Sequence, residues 1–300
     1  MARTLILDVD TGVDDALAIL FALRCAHVKL RCAHVKLRCA HVKLRAITCV
    51  GGNVGVEQVV TNTLAVLDAA DAPAVAVAGG AAGPLSGRAV PSTRSVHGAD
   101  GLADLGLPPS SRTAVPESAV ELLRREILAA PESPTLVATG PLTNLALLLR
   151  TAPGVLTRLR RLVVVGGAAT GELGGPEDFN LRYDAAAAAA VLGSGVPVTM
   201  YTLDVFYRVA LSASEADELA ASANAGTRLA GLLARHQAQR FGARGACLGD
   251  AGAVASVVEP RGIQTRPHPE LPAVRVAVGV DAQAYRRLFL DTVRGDSPLA

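Results

Sequence analysis

Near the start of the chain, four aspartates lie within eight residues: Asp8, Asp10, Asp14 and Asp15. They directly follow the apolar run Thr4–Leu7, which has the composition of a buried strand. So much negative charge at one strand end repels itself unless a cation lies among it, and calcium and magnesium bind through carboxylate oxygens in this way. An acidic helix N-terminus would account for the last two aspartates but not for the first two. The pattern therefore predicts a metal site.

The elements that must position this cluster are strand-like runs that alternate with helical patterns. The strands are predicted at Thr4–Val9, Leu44–Val50, Ala74–Ala78, Pro134–Thr139, Arg161–Val165 and Val196–Tyr201. The helices are predicted at Asp14–Leu23, Val56–Ala70, Glu117–Ala129, Leu142–Thr151, Asp184–Leu192, Ser212–Phe241 with a break, Asp250–Val258 and Asp281–Val293. This alternation predicts an α/β fold, with a mostly parallel, Rossmann-like open sheet flanked by helices. Such sheets bind ligands at the carboxyl ends of their strands.

Composition narrows the class of protein. The chain has 300 residues, half of them hydrophobic, which fits one large domain over residues 1–300. A net charge of +2 offers no basic face for nucleic acid. Residues 1–3 lead directly into the first strand, and no apolar stretch is long enough to cross a bilayer. We therefore expect no membrane partner, a cytoplasmic location and reduced thiols.

A heptapeptide, CAHVKLR, occurs three times in succession over residues 25–45. The repeat is inserted between the first predicted helix and the second predicted strand. Its period would let it prolong the helix, whereas the alternation of its last four residues is compatible with a projecting hairpin. Three Cys and three His suggest a soft-metal site, but their spacing resembles no common zinc site, and tandem duplication explains the pattern without any function.

Five ordered segments of the chain resemble the signature segments of the nucleoside hydrolases, calcium-dependent enzymes that cleave the N-glycosidic bond of ribonucleosides. These segments are residues 7–16, 47–53, 96–101, 139–144 and the pair 165–167 with 178–180. Asp250, ahead of an Ala/Val-rich helix, closes the series. The resemblance implies a ribonucleoside substrate, calcium as cofactor and a homo-oligomer, either a dimer or a tetramer.

The chemistry of these residues is self-consistent. Calcium needs six to eight oxygens, which substrate hydroxyls and protein groups could supply together. The candidate protein ligands are Asp10, a bidentate Asp15, the carbonyl of Thr139, Asp250 and, directly or from behind them, Asp8. A water held by calcium beside Asp10 would be oriented and more acidic, which makes Asp10 the candidate general base. Nearby carboxylates would also stabilise the oxocarbenium-like transition state of glycoside cleavage.

Further residues are assigned to the substrate by resemblance alone. Asp14 and Asn180 are expected to hold the 2′ and 3′ hydroxyls, and Asn53 to lie beside the metal. Asp178 stands at the position that receives the 5′ hydroxyl, where Glu is usual in the family, and the loop of His97 is expected to line the pocket. Two alternatives stay open, because Asn180 could cap the next helix and Asn53 could simply close a turn.

Three departures from the family pattern bear on function. Thr11 stands where Pro is usual, and its hydroxyl could help cap the following helix. Glu172 stands where Asn normally contacts the ribose. Gly249 stands where many purine-active members have the His that protonates the leaving base, and glycine cannot donate a proton. The leaving base must then be protonated by another residue or by water, or be a base that leaves without help. The candidate residues are His97, Tyr183, Tyr207 and His236.

Two other functions remain compatible with the sequence. The pattern Asp8-x-Asp10-x-Gly12 also resembles haloacid-dehalogenase-like phosphatases, although every Lys lies in the repeat, where that class would need one elsewhere. A catalytically impaired, calcium-dependent nucleoside or ribose-binding protein is the other alternative, and Gly249 motivates it.

Overall fold

In a computed structural model of the chain, the first predicted strand, β1 (Arg3–Val9), is an interior strand of a sheet. The structure describes residues 3–27, 42–88 and 94–295. The residues of β1 from Thr4 onward are all buried, as expected for a strand covered by helices on both faces. The other strands of this sheet are β2 (Val42–Cys49), β3 (Ala76–Gly79), β4 (Thr135–Ala138), β5 (Arg161–Val165), β6 (Val198–Tyr201), β9 (Ile263–Pro267) and β10 (Val274–Val280).

The eight strands are ordered β3-β2-β1-β4-β5-β6-β10-β9. All neighbouring pairs are parallel except β10 and β9, which form an antiparallel edge. Two short strands, β7 (Ala210–Leu211) and β8 (Ala246–Cys247), form a separate antiparallel pair. Because β2 and β4 flank β1 on opposite sides, the order reverses there, and the crevice at the carboxyl ends of these strands is the expected ligand site.

Helices cover both faces of the sheet, and a separate apolar cluster fills the space on each side. Their bounds are α1 (Val13–His27), α2 (Val56–Ala69), α3 (Arg94–His97), α4 (Ala119–Ala129), α5 (Thr143–Thr151), α6 (Phe179–Tyr183), α7 (Ala185–Leu192), α8 (Leu203–Phe206), α9 (Ala213–Ala220), α10 (Ala225–Phe241), α11 (Gly249–Val258) and α12 (Ala282–Val293). Among the described residues, no helix is both long and apolar enough to cross a membrane.

The predicted fold class is confirmed, and each predicted strand and helix is present within a few residues of its expected bounds. The break expected within Ser212–Phe241 falls between α9 and α10. Neither β9 nor β10 was predicted from the sequence. Only β10 has a well-buried face, whereas the edge strand β9 is largely polar and exposed, so it lacks the apolar signal on which strand prediction depends.

The heptapeptide repeat contributes to two different elements at its ends. Cys25–His27 of the first copy form the end of α1, and residues 42–45 of the third copy begin β2. The same seven-residue sequence therefore supplies a helix end in one copy and a strand start in another. Residues 28–41 lie outside the described residues. The predictions of a longer helix, a hairpin or a Cys/His metal site concern these residues and stay predictions.

Candidate active site

Loops that follow four adjacent strands converge on one cavity at the carboxyl edge of the sheet. Asp10 follows β1, Asn53 follows β2, Thr139 follows β4 and Gly166 follows β5, and all four residues line the cavity. Most of the residues assigned from the sequence line it too: Asp10, Asp14, Asp15, Asn53, His97, Thr139, Asp178, Asn180 and Asp250. The structure therefore brings together residues that are up to 240 positions apart.

Three carboxylates form the tightest group in this cavity. Asp14 and Asp15 lie in the first turn of α1, and Asp250 lies in the first turn of α11. One carboxylate oxygen from each lies within 4.8 Å of the other two, a spacing that could hold a metal ion. Asp10 lines the same cavity outside this group, so Asp14, assigned to the ribose by resemblance, is also well placed for a metal.

The electrostatics of the cluster favour a bound cation. Burial, and then repulsion from neighbouring aspartates, raise the pKa of Asp10 and of Asp250 well above the ordinary value of 3.8. Burial also raises the pKa of Asp14 to about 6. The Oδ1 atom of Asp14 is buried and has no hydrogen-bond partner among the described residues. A hard divalent cation with a preference for oxygen ligands fits this donor set.

Asp10 is held in place by the turn that follows β2. Its Oδ2 atom accepts a hydrogen bond from the backbone N–H of Asn53 at 2.9 Å. A Cβ atom on Gly52 would lie only 2.2 Å from the same oxygen. Glycine is therefore needed at position 52, because it lets the backbone approach the carboxylate closely.

Asp15 is fixed by the loops around it. Its Oδ1 atom accepts a hydrogen bond from the Thr139 hydroxyl at 2.6 Å. Its Oδ2 atom accepts from the Gly12 amide at 3.0 Å and from the Asn53 side chain at 3.4 Å. The carbonyl of Thr139, a predicted metal ligand, accepts a hydrogen bond from the Asn180 side-chain amide. The predicted ligands and substrate contacts thus already touch one another.

Asp8 differs from the other aspartates because it does not line the cavity. It is fully buried, and its Oδ1 atom accepts hydrogen bonds from the Thr48 hydroxyl at 2.6 Å and from the Asn144 side chain at 2.8 Å. Burial raises its pKa to about 6. These contacts tie β1 to β2 and α5 behind the cavity, so of its two predicted roles the geometry favours support from behind the ligands.

His97 lies against the start of α1. Its Nδ1 atom accepts a hydrogen bond from the Val13 amide at 3.2 Å and lies 3.8 Å from Asp14 Oδ1. Burial lowers the pKa of His97 to about 4. Because Nδ1 accepts a hydrogen bond, the ring is neutral and carries its proton on Nε2.

Two capping roles suggested by the sequence are wrong. Asn180 does not cap the next helix, because Asp184 caps α7 by accepting from the Ala187 amide at 3.1 Å. Thr11 does not cap α1, because its hydroxyl pairs with the Thr63 hydroxyl at 2.6 Å. The backbone N–H groups of Gly12 and Val13, at the start of α1, instead donate hydrogen bonds to the side chains of Asp15 and His97.

Asp178 has a structural role that sequence reasoning did not assign. It is the N-cap of α6, where one carboxylate oxygen accepts from the Leu181 amide at 3.1 Å. The other oxygen accepts from the Gly167 amide at 2.6 Å. Both oxygens are thus engaged by backbone, although the residue also lines the cavity. Glu172 lines an adjoining cavity instead, together with Glu177 and Asp178.

An aromatic ring occupies the space beside Gly249. A Cβ atom at position 249 would lie 2.1 Å from Cζ of Phe206, and the backbone φ of +24° is itself unfavourable for any other residue. Phe206 lines the cavity. The departure from the family pattern is therefore not a simple deletion of a side chain, since an apolar ring fills the volume into which that side chain would grow.

The four candidate proton donors separate by position. His97 and Tyr207 line the cavity, whereas Tyr183 and His236 do not. His236 Nε2 is hydrogen-bonded to the Val96 carbonyl at 2.9 Å, so this ring has a structural role outside the cavity. Burial raises the pKa of Tyr207. The two residues that remain are thus a neutral imidazole and a phenol weaker than usual as an acid.

Several residues of the cavity wall were not predicted from the sequence, among them Glu177, Phe206, Gln237 and Phe241. One of them carried a readable signal. Gln237 lies four residues after Leu233 and eight after Leu229 on the buried stripe of α10, where a polar side chain is unexpected. Its Oε1 atom is buried and has no partner among the described residues.

The reversing sheet and the carboxylate-lined cavity at its switch point define an α/β enzyme with a candidate metal centre. Residues 5–287 match the family profile described as "Inosine-uridine preferring nucleoside hydrolase". The pyrimidine-specific ribonucleoside hydrolase RihA of Salmonella enteritidis is 34% identical over 266 residues, which cover 87% of this chain and 81% of that protein. A Shewanella RihA is 32% identical and covers 99% and 98%.

Solved structures agree with this assignment. A purine-preferring ribonucleoside hydrolase from Gardnerella vaginalis has a TM-score of 0.82 and 30% identity, covering 97% of this chain and 98% of its own. An inosine-guanosine nucleoside hydrolase has a TM-score of 0.82 and 26% identity, covering 99% and 100%. The chain belongs to the nucleoside hydrolase family, whose members act on N-glycosyl compounds. This membership excludes the phosphatase alternative.

Proposed function

We propose that this protein is a calcium-dependent ribonucleoside N-ribohydrolase that releases ribose and a free base. The observation that carries the proposal is the meeting of Asp14 and Asp15 with Asp250, from opposite ends of the chain, in a cavity that also holds Asp10. A protein that only bound the nucleoside through calcium would need the metal ligands but not a base beside the attacking water, which is the role proposed for Asp10.

Calcium is the proposed cofactor because every candidate ligand is a hard oxygen donor. The proposed ligands are Asp10, Asp14, Asp15, Asp250 and the carbonyl of Thr139. When bound, the ion would polarise water and sugar oxygens and offset the charge of the cluster. Asp8 would support Asp10 and Asp15 from behind, and this role is consistent with its hydrogen bonds to Thr48 and Asn144.

Asp10 is the proposed general base. Its carboxylate is oriented by the Asn53 amide, and this fixed orientation supports transfer of a proton from the water that attacks the anomeric carbon. As the N-glycosidic bond breaks, positive charge develops on the sugar. The surrounding carboxylates would stabilise that charge in the transition state.

The ribose would be held by polar groups on several loops. Asn180 and Asp14 are the proposed partners of the 2′ and 3′ hydroxyls. Asn53, proposed to lie beside the metal, donates a hydrogen bond from its side chain to Asp15. His97 can donate a hydrogen bond from Nε2. Asp178 would receive the 5′ hydroxyl only as a third contact, since its oxygens already accept backbone hydrogen bonds. Holding several hydroxyls converts binding energy into orientation.

The protein is best tested with a panel of purine and pyrimidine ribonucleosides, assayed for free ribose with and without a calcium chelator. The proposal predicts ribose release that the chelator abolishes and added calcium restores. Saturable nucleoside binding without ribose release would instead support the impaired binding protein. The relatives differ in their stated preference for pyrimidine or purine bases, so the panel must contain both.

We also propose a homo-oligomer, by resemblance to the family, and a cytoplasmic location, from the sequence pattern. Light scattering after size-exclusion chromatography tests the first expectation, with a dimer or tetramer as the predicted result. Fractionation of the producing cells tests the second.

A further inference from the structure

The cavity provides no strong acid for the leaving base. Phe206 fills the space beside Gly249, so no side chain can act from that position. The neutral ring of His97 could protonate a base only by becoming an imidazolate, because its Nδ1 atom already accepts the Val13 amide. A neutral base that leaves without a proton departs as an anion, which is unfavourable in a cavity already lined by carboxylates.

The charge of the cavity favours a cation in place of an anion. Among the described residues that line it there is no Lys or Arg, but there are six carboxylates, and one divalent ion would offset only part of their charge. Glu177, an exposed residue shared with the adjoining cavity, lies on the wall together with Tyr207. A positively charged ligand would be attracted to this wall by ordinary Coulomb interaction.

The cavity also offers aromatic faces for such a ligand. Phe206, Tyr207 and Phe241 line it, with ring centroids 5.1 Å apart for the first pair and 6.3 Å for the second. The guanidinium carbon of Arg244 lies 5.3 Å from the Tyr207 centroid, so a cation already uses one face of that ring, and Phe206 and Phe241 supply the other aromatic surfaces. Gln237 lines the same cavity, and its buried Oε1 atom, which has no partner among the described residues, is an acceptor that adds no positive charge.

We propose that the preferred substrates are N-ribosides whose base carries a permanent positive charge, with pyridinium ribosides as the simplest class. This inference rests on the proposed N-ribohydrolase function. Water oxygen bonds to C1′ as the C1′–N bond breaks, and the electron pair of that bond passes to the ring nitrogen. The nitrogen becomes neutral, so the base needs no proton. The proton of the water passes to Asp10 and then to solvent.

The test is ribose release by the calcium-loaded protein from two charged and two neutral ribosides. The charged probes are N-ribosylnicotinamide and N-ribosylpyridinium, whose ring nitrogens stay positively charged at every assay pH, and the neutral ones are uridine and inosine. After correction for spontaneous hydrolysis, we expect kcat/KM to favour the charged probes by about 100-fold, the usual lower effect of a missing general acid. Equal or higher kcat/KM for uridine or inosine would overturn this inference and leave the proposed function intact. No release from any probe by folded protein would overturn both.

Variants separate the action of the cavity from the intrinsic reactivity of the probes. Phe206→Leu keeps apolar bulk but removes the aromatic face, and should lower the ratio of charged to neutral kcat/KM about 3- to 10-fold. Glu177→Gln should lower it several-fold because one nearby charge is lost. Glu132→Gln is the matched control, since this exposed residue precedes β4 at the opposite edge of the sheet, and its ratio should not change. An unchanged ratio in both test variants would also overturn the inference.

Discussion

At the scale of single residues, the close approach of Phe206 to Gly249 predicts how substitutions at these two positions change the free energy of unfolding. Gly249→Ala should destabilise the protein by about 1–3 kcal/mol, because the new methyl group overlaps the ring and the backbone is strained. Phe206→Ala should also destabilise it, by leaving a cavity. The double variant should lose less than the sum of the two, since removing the ring makes room for the methyl group.

Urea denaturation of the four proteins measures this coupling. Gly83→Ala is a suitable control, because a Cβ atom there would meet nothing within 4 Å, and its stability should change by less than about 0.5 kcal/mol. Strict additivity of the two variants would show that the ring does not occupy the space beside position 249.

The second prediction for a single residue concerns Asp10 as the general base. Asp10→Asn keeps the shape of the side chain but removes the proton acceptor, so turnover of a ribonucleoside should fall about 100-fold or more. Asp291→Asn, on an exposed position of α12, is the charge-matched control and should retain full turnover. Turnover of Asp10→Asn close to that of the parent protein would reject Asp10 as the base.

The residues differ in how readily sequence could identify them. The aspartates of residues 8–15 were predictable because strong repulsion among neighbours in sequence needs no tertiary information. Asp250 could be assigned only by resemblance, since nothing local distinguishes it from an ordinary acidic helix start. Phe206 and Phe241 could not be assigned, because an aromatic residue on a cavity wall has the same local pattern as one in a core.

At the scale of elements, the repeat between α1 and β2 can be tested by two deletions. Removal of residues 32–38 leaves residues 28–31 and 39–41 as a connection, which is close to the usual length between a helix and a strand. Removal of residues 25–38 leaves no connecting residue, because the remaining copy must supply both the helix end and the strand start.

We therefore expect the shorter deletion to retain its melting temperature and its ribose release, and the longer one to melt at a lower temperature. Scanning fluorimetry and the ribose assay measure both effects. A shorter deletion that fails to fold, or a longer one as stable as the parent, would show that the middle of the repeat does not act as a simple connection.

Elements were predictable to the extent that their apolar pattern matched their burial. The buried strands β1, β4 and β5 have continuous apolar runs, so they were found with nearly correct bounds. The short helices α6 and α8 were not predicted, because four or five residues are too few for a helical period. Both lie at the cavity, where the fold is set by tertiary contacts such as the Asp178 cap.

At the scale of the whole molecule, the raised pKa values of the aspartates link stability to pH and to calcium. Asp8 and Asp14 have pKa values of about 6 in the folded chain, against an ordinary value of 3.8. Between these pH values the folded state holds more protons than the unfolded state, so these groups stabilise the metal-free protein below about pH 4 and lose that contribution as the pH rises through 6.

Calcium binds the ionised carboxylates, so its stabilising effect should grow over the same range. We expect the rise in melting temperature on adding calcium to metal-free protein to be small at pH 4.5 and large at pH 7.5. Sodium chloride at matched ionic strength controls for screening of surface charge. An equal rise at both pH values would contradict the assignment of calcium to these carboxylates.

The proposed function depends most directly on one divalent ion that joins the two ends of the chain. Titration of metal-free protein with calcium, with bound ion and ribose release from a hydrolysed ribonucleoside followed together, tests it. We expect the rate of ribose release to rise in proportion to calcium occupancy and to saturate at one ion per chain, and we expect Asp250→Asn to lose both calcium binding and ribose release. A full rate in calcium-free protein, or undiminished binding in Asp250→Asn, would contradict it.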